Sequence, residues 1–209
     1  MISEKPFVSV IILSFNGQDY LFDCLDSVLK VNYPIDRFEV IVADNCSSDR
    51  SVDLIRENFG EQVKLMEFEK NFGFSEGNNL ALRSAKGELI IFLNQDTVVN
   101  ELFIQGLVNA VEESNFDACQ SNIIMPRNDD FELNQDKASM PKKTYFYQLN
   151  RYGYVSQASV NNDESNFESN FLSGCSFIIR RDVLNKLGEP FNLSTVVRMF
   201  GFIGSWGEE

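Results

Sequence analysis

Four short polar segments, each following an apolar run, carry the side chains best suited to chemistry in this chain of 209 residues. They are residues 14–17 (SFNG), 44–49 (DNCSSD), 71–73 (NFG) and 94–96 (NQD). Carboxylate and amide oxygens dominate them. Such oxygens bind hard cations and accept hydrogen bonds from N–H and O–H groups. These segments are therefore the candidate functional residues.

Asp96 is the strongest candidate for a metal ligand. A carboxylate directly after a buried strand is well placed to hold Mg²⁺ or Mn²⁺ through oxygen. A cation there would stabilise negative charge on a phosphorylated leaving group. Taken alone, Asp96 fits a turn residue or a helix N-cap at least as well, so both interpretations stay open.

Asp44 is the second candidate, because a carboxylate at the end of a strand can accept a hydrogen bond from a base N–H or a ribose hydroxyl. The alternative is an Asx-turn that opens the next helix, which the polar residues after Asp44 also fit. Asn71 and Gly73 are weaker candidates. The glycine there permits either close backbone approach or a positive φ.

The apolar runs indicate the elements that position these residues. Buried strands are predicted at residues 7–14, 38–43, 63–68 and 89–93. Helical spacing predicts a helix from Leu21 that closes before Pro34, one from an N-cap at Ser47 or Ser48 to about Asn58, and one over residues 76–86. Alternating strands and helices indicate βαβ units, hence an α/β fold with a mainly parallel central sheet flanked by helices. Ligands of such sheets bind beyond the carboxyl ends of the strands. The four polar segments should therefore meet on one rim.

The second half of the chain is less regular. A helix is predicted near residues 102–113, strands near 118–125 and 171–180, and a short helix over 182–187. Residues 126–170 are rich in polar residues and tyrosine. We expect them to be dominated by loops that can line a substrate groove.

Composition excludes several classes of function. With 18 Lys and Arg against 31 Asp and Glu, the net charge is −13, which disfavours nucleic acid as a partner. The absence of histidine excludes Ser-His and Cys-His pairs and histidine metal ligands. The four cysteines form no C-x-x-C pair, so we expect buried, reduced thiols in a cytoplasmic protein. No apolar run approaches the roughly 20 residues of a membrane span.

The segments VSVIILSFN (residues 8–16), VADNCSSD (42–49), NFGFSEGNN (71–79) and GELIIFLNQD (87–96) resemble, in order and spacing, the N-terminal halves of family 2 glycosyltransferases. The similarity is greatest to the bacterial rhamnosyltransferase-like enzymes of cell-surface polysaccharide synthesis. It resumes at residues 174–188 (GCSFIIRRDVLNKLG). The fold implied is GT-A.

This resemblance implies a transferase that moves a sugar, with inversion, from a UDP- or dTDP-sugar to the hydroxyl of a saccharide or lipid-linked saccharide. It implies a cytoplasmic protein that can act at the inner membrane face. Asp44 matches the acid that contacts the base. Asp96 matches the last residue of the DxD motif that binds Mg or Mn, and Asn94 stands at the first position. The residues expected to bind the nucleotide are Ser14, Asn16, Asp44, Asn71, Gly73 and Asn94. Residues 1–125 would form the nucleotide-sugar-binding half and residues 126–209 an incomplete acceptor-side portion of the same domain.

The last residues depart from the family pattern. The family continues from an acidic pair into further acceptor-side elements, whereas this chain stops at Glu208 and Glu209. Either Glu209 or Glu208 is the general base of the transfer, or the likeness is chance in an acidic tail. We expect a truncated enzyme that binds donor and transfers sugar slowly or not at all.

Two alternatives to an active transferase remain. The first is a domain or inactive fragment that binds a nucleotide sugar without turnover. The second is another nucleotide-using α/β protein. A dehydrogenase would carry G-x-G-x-x-G after the first strand. The chain has SFNGQD there instead, and it lacks the basic glycine-rich loop of a nucleotidyltransferase.

Overall fold

The computed structural model describes residues 4–113, 117–121, 143–149, 155–161 and 174–187. Within them the strands are β1 (Val8–Ser14), β2 (Phe38–Asp44), β3 (Lys64–Glu67), β4 (Leu89–Asn94), β5 (Ala118–Gln120), β6 (Lys143–Leu149), β7 (Val155–Asn161) and β8 (Ser176–Arg180). The helices are α1 (Leu21–Leu29), α2 (Ser51–Asn58), α3 (Gly73–Leu82), α4 (Phe103–Glu113) and α5 (Arg181–Leu187). Short 3₁₀ turns at Ile35–Arg37 and Gly60–Gln62 precede β2 and β3.

A six-stranded sheet in the order β3-β2-β1-β4-β8-β5 forms the body of the structure. The strands β3, β2, β1 and β4 are parallel, and β8 runs antiparallel to both β4 and β5. The α/β fold with a mainly parallel sheet is therefore confirmed. The central strand is β1, which is paired along its length with β2 on one side and β4 on the other.

Both faces of the sheet are covered by helices, which explains why the strand sequences are continuously apolar. On one face, Val10 and Ile12 pack in a cluster with Leu25 of α1 and Val108 of α4. On the other face, Ile11 packs in a cluster with side chains of α3 and α5. Successive strand residues point to opposite faces, so β1 contributes to both clusters.

The predicted start of α2 was wrong. The helix begins at Ser51, and neither Ser47 nor Ser48 caps it. Asp49 accepts a hydrogen bond from the Ser51 N–H at 2.9 Å and so satisfies an amide at the start of the helix. The two serines are instead drawn into contacts with the loop after β1.

The bounds of α3 also differ from those predicted. The helix begins at Gly73 and ends at Leu82, whereas residues 76–86 were expected. After Leu82 the chain tightens into turns that Arg181 supports, because its guanidinium donates to the carbonyls of Ala85 and Gly87. A side chain distant in sequence thus supports the turns between α3 and β4.

The expectation of loops in residues 126–170 was wrong for two segments. β6 and β7 pair antiparallel as a separate two-stranded sheet. Residues 143–149 (KTYFYQL) combine threonine with aromatic residues, which favour a strand, and this outweighs the polar composition around them. The other residues of the 126–170 range lie outside the described part of the chain.

The expectation of uniformly buried thiols was also wrong, because only Cys24 is buried. Cys119 and Cys175 are partly exposed, and Cys46 is exposed in the loop after β2. Across the residues that the structure describes, no helix has the length and apolar character of a membrane span.

Candidate functional site

The carboxyl ends of β1, β2 and β4 lie side by side. Ser14 is paired with Asp44 and Leu13 with Asn94, so the polar segments after these strands share one rim of the sheet. Asp96 follows two residues after Asn94. The predicted convergence of these segments is therefore confirmed.

Two buried oxygens at this rim lack partners. Asp44 is 2% exposed, and its Oδ2 accepts a hydrogen bond from the Ser47 N–H at 2.9 Å. Among the described residues, Asp44 Oδ1 and Ser14 Oγ are the buried side-chain polar atoms without a hydrogen bond. Strand pairing puts both side chains on the same face of the sheet. A buried polar atom left unpaired costs about 1–3 kcal/mol, so an adjacent pair points to a ligand that satisfies both.

The two interpretations of Asp44, as an Asx-turn residue and as a free acceptor, concern different oxygens of its carboxylate. Oδ2 closes the turn after β2, as the Asx-turn interpretation expects. Oδ1 has no hydrogen-bond partner among the described residues. The two roles were alternatives at the level of sequence, because residue type does not show which carboxylate oxygen is hydrogen bonded.

The loop after β1 is joined to the loop after β2 by hydrogen bonds. The Asn16 N–H donates to Ser47 Oγ, and the Ser48 N–H donates to Asn16 Oδ1, each at 2.9 Å. The Gly17 N–H donates to Ser51 Oγ at 2.8 Å. Asn16 has a φ of 47°, a left-handed conformation that asparagine tolerates better than most residues. Asn16 is therefore built into the rim as a link between two loops.

Asn45 connects the segment at residues 71–73 to the same rim. This buried side chain donates through Nδ2 to Asn71 Oδ1 at 2.8 Å and to the Gly73 carbonyl at 3.2 Å. Its Oδ1 accepts from the Phe72 N–H at 2.8 Å. Gly73 has a φ of 74°, which favours glycine at this position. Asn71 and Gly73 are thus held beside the end of β2 by a residue not selected from the sequence.

Asp96 is exposed, and its carboxylate forms no hydrogen bond or ion pair with any described residue. It is open to a cation on the solvent side. The described residues contain no group of three or more His, Cys, Asp or Glu that could hold a metal ion. A metal site with Asp96 as its carboxylate would therefore be of the kind in which Mg²⁺ takes one or two carboxylates and completes its coordination with substrate phosphates and water. Asp96 fits a divalent metal provided that substrate phosphates and water supply the remaining ligands.

The neighbouring thiols do not add ligands at neutral pH. Burial, reinforced by the negative charge of Asp96, raises the pKa of Cys24 to about 12. Burial likewise raises the pKa of Cys175. Hard cations such as Mg²⁺ and Mn²⁺ also prefer oxygen ligands to sulfur, so neither thiol is expected to add a ligand.

The structure thus brings together Ser14, Asn16, Asp44, Asn71, Gly73, Asn94 and Asp96 along one rim. Glu208 and Glu209 lie outside the described residues. Asn45, Asp49 and Gln95 lie within the polar segments but were not given individual roles from the sequence, and Ser51 lies outside those segments. The polar composition of their segments was a signal, but their partners depend on how the loops fold.

These features define an α/β domain with a polar rim at the carboxyl ends of its parallel strands. The family model for glycosyl transferase family 2 matches residues 9–188. The chain therefore belongs to glycosyl transferase family 2, and its fold is GT-A.

One relative and two solved structures illustrate what the chain is similar to. A protein from Bacillus subtilis strain 168 named as the teichuronic acid biosynthesis glycosyltransferase TuaG is 37% identical over 98 residues, covering 46% of this chain and 38% of that protein. The S. aureus TarS 1–349 structure in complex with UDP-GlcNAc aligns with a TM-score of 0.58 at 23% identity, covering 87% of this chain and 47% of that one. Mannosyltransferase PcManGT from Pyrobaculum calidifontis, in complex with GDP-Man and Mn2+, aligns with a TM-score of 0.63 at 21% identity, covering 90% and 48%. This chain spans less than half of each of the three.

The Asp49 carboxylate predicts a pH-dependent contribution to stability. Partial burial opposes its ionisation, but hydrogen bonds from Ser51 and Gln18 outweigh burial and lower the pKa of Asp49. A lowered folded-state pKa stabilises the protein above the unfolded-state pKa, and this contribution is lost as pH falls through the folded-state value. Asp49→Asn should reduce the free energy of unfolding by about 1 kcal/mol at pH 7, and the difference should shrink below about pH 4.

Urea denaturation of both proteins between pH 3 and pH 7 measures this difference. Asp19→Asn, which changes an exposed carboxylate in the loop after β1, is the matched control and should change stability little at any pH. A constant deficit for Asp49→Asn across the whole range would contradict the charge-based explanation.

Proposed function

We propose that the rim binds the nucleoside diphosphate of a UDP- or dTDP-sugar, and that the protein transfers the sugar with inversion to a hydroxyl acceptor. The observation that carries this proposal is the adjacent pair of unpaired buried oxygens, Asp44 Oδ1 and Ser14 Oγ. Family membership supports the transferase chemistry, and the rim supports the class of ligand.

The two oxygens define a hydrogen-bond pattern for a base. An ionised carboxylate only accepts, so Asp44 Oδ1 requires an N–H or O–H from the ligand. The Ser14 hydroxyl can donate to a carbonyl beside it. Uracil and thymine present an imide N–H flanked by carbonyls, which matches this pair. Cytosine presents an unprotonated ring nitrogen at the same position and would leave Asp44 facing another acceptor.

Asp96 is the residue that would hold the divalent metal, together with the donor diphosphate. The metal, Mg or Mn, would supply positive charge to the leaving nucleoside diphosphate. Asn94 precedes it on β4 and borders the nucleotide. Asn71 and Gly73 follow β3 and border the donor beside β2, at the position that Asn45 fixes through its hydrogen bonds.

Glu209 or Glu208 is proposed as the general base that removes the proton from the acceptor hydroxyl while the sugar is displaced directly. Direct displacement from the face opposite the leaving group is what inverts the anomeric carbon. Residues 126–209 are proposed to contribute the acceptor side, and residues 1–125 the donor side.

The acceptor is proposed to be a saccharide or lipid-linked saccharide of a bacterial cell-surface polysaccharide, with the protein working in the cytoplasm or peripherally at the inner membrane face. The similarity to a protein named for teichuronic acid biosynthesis supports the polysaccharide class. A rhamnosyltransferase-like specificity remains one option within it. Nucleic acid is disfavoured by the net charge of −13.

Asp44→Asn tests the base contact. The asparagine can keep the hydrogen bond to the Ser47 N–H through its oxygen, while its NH₂ group replaces the free acceptor with a donor. UDP affinity should fall and CDP affinity should rise, so that the UDP-to-CDP affinity ratio drops at least about tenfold. Calorimetric titration of UDP, dTDP and CDP in the presence of Mn²⁺ measures the ratio.

Asp53→Asn, an exposed acid on α2, is the control and should leave the ratio unchanged. If UDP and CDP bind the wild-type protein equally and Asp44→Asn weakens both alike, Asp44 contacts the ribose and not the base. If neither nucleotide binds the wild-type protein, the proposed site is wrong.

Asp96→Ala tests the metal. Removing the carboxylate should abolish most of the gain in UDP affinity that Mn²⁺ gives the wild-type protein, and should leave metal-free UDP binding nearly unchanged. Direct Mn²⁺ binding in the presence of UDP, followed by electron paramagnetic resonance, gives a second readout. Asp36→Ala, an exposed acid before β2, is the control. Full Mn²⁺ enhancement in Asp96→Ala would exclude the assignment.

Replacing Glu208 and Glu209 together by Gln tests the base. The variant should bind UDP as the wild-type protein does and release UDP from a sugar donor at least about 100-fold more slowly in the presence of a competent acceptor. Replacing Glu112 and Glu113 at the end of α4 by Gln is a matched control with the same change in charge. Undiminished transfer by the Glu208 and Glu209 variant would overturn the assignment.

A further inference from the structure

The side chain of Gln95 clamps the peptide of Phe15. The Phe15 N–H donates to Gln95 Oε1 at 3.0 Å, and Gln95 Nε2 donates to the Phe15 carbonyl at 3.1 Å. One side-chain amide therefore satisfies both polar groups of one residue. The backbone ladder between β1 and β4 ends at the pair Leu13 and Asn94. The Gln95 side chain thus extends the connection between the two strands beyond their last backbone pair.

Gly17 makes room for this clamp. A Cβ atom at Gly17 would lie 2.8 Å from Gln95 Cδ and 3.2 Å from Leu21 Cγ, and the first of these separations is too short for carbon atoms. The Gly17 carbonyl also accepts hydrogen bonds from the Tyr20 and Leu21 N–H groups at the start of α1. Any larger residue at this position would displace Gln95, the start of α1, or both.

The clamp joins the two sides of the rim. Phe15 lies between Ser14, which carries one unpaired oxygen, and Asn16, which is bonded to the loop after β2. Gln95 lies between Asn94 and Asp96. The hydrogen bonds between Gln95 and Phe15 therefore set the position of the Asp96 loop relative to the unpaired oxygens of Ser14 and Asp44.

We propose that Gln95 is a positioning residue that couples nucleoside binding at Ser14 and Asp44 to metal and diphosphate binding at Asp96. The coupling rests on the proposed function, whereas the clamp itself does not. Without the clamp the two halves of the rim can still bind separately. They no longer hold a fixed spacing, so a ligand that spans both gains less from the second contact.

Titration of UDP with and without Mn²⁺ measures the coupling. Gln95→Ala should reduce the Mn²⁺-dependent gain in UDP affinity about tenfold, with a smaller loss of metal-free UDP affinity. Gln95→Met keeps the length and bulk of the side chain but has no hydrogen-bonding amide, and it should lose as much as the alanine variant. Gln62→Ala, an exposed glutamine before β3, should behave as the wild-type protein.

A double-mutant cycle in the ligand-free protein tests the clamp independently of nucleotide. Gly17→Ala should lower the urea midpoint in the wild-type background, because the new methyl group displaces the Gln95 amide from Phe15, and should lower it much less in the Gln95→Ala background, where the colliding side chain is gone. An equal shift in both backgrounds would overturn the clamp. Full Mn²⁺ enhancement in Gln95→Ala, or wild-type coupling in Gln95→Met, would overturn the positioning role. No UDP binding by the wild-type protein overturns the proposed function and the coupling with it, but leaves the result of the cycle valid.

Discussion

The pairing of β1 with both β2 and β4 is the constraint on which the site depends. Because these strands are parallel and in register, their carboxyl ends stop at one level, and three chain segments far apart in sequence meet there. Buried apolar side chains on both faces of β1 hold the strand in place. The loop after β1 is then bonded to the loops on either side of it, by Asn16 to the loop after β2 and by Gln95 to the loop after β4.

Many polar side chains at the rim form hydrogen bonds that connect the loops of the rim to one another. The side chains of Asn16, Asn45 and Gln95 all hydrogen bond to neighbouring loops. The exceptions are therefore informative: among them, within the described residues, are two buried oxygens and the exposed carboxylate of Asp96. A rim that satisfies its scaffold internally and leaves a few groups unsatisfied is preorganised, since a ligand can bind without first breaking internal hydrogen bonds.

Charge sets a second condition on the ligand. The chain carries a net charge of −13, and the segments at residues 14–17, 44–49, 71–73 and 94–96 contain no lysine or arginine. A nucleoside diphosphate is itself an anion, so the field of the protein opposes its approach. A divalent cation held by Asp96, as proposed, would offset that repulsion. The acidic composition is thus a physical reason for the proposed metal requirement, because an anionic ligand needs positive charge to bind a negatively charged protein.

The strands of the main sheet, their parallel arrangement and the rim were predictable from the residue pattern, because apolar runs and the polar segments that end them are local signals with a fixed geometric consequence. Asp44 and Asp96 could be selected for the same reason. Three features became visible only in the folded structure: which oxygen of Asp44 has no partner, that Asp49 and neither Ser47 nor Ser48 accepts from the first amide of α2, and that Gln95 binds the Phe15 peptide. These features depend on contacts between residues up to 80 positions apart, which side-chain type and local periodicity do not encode.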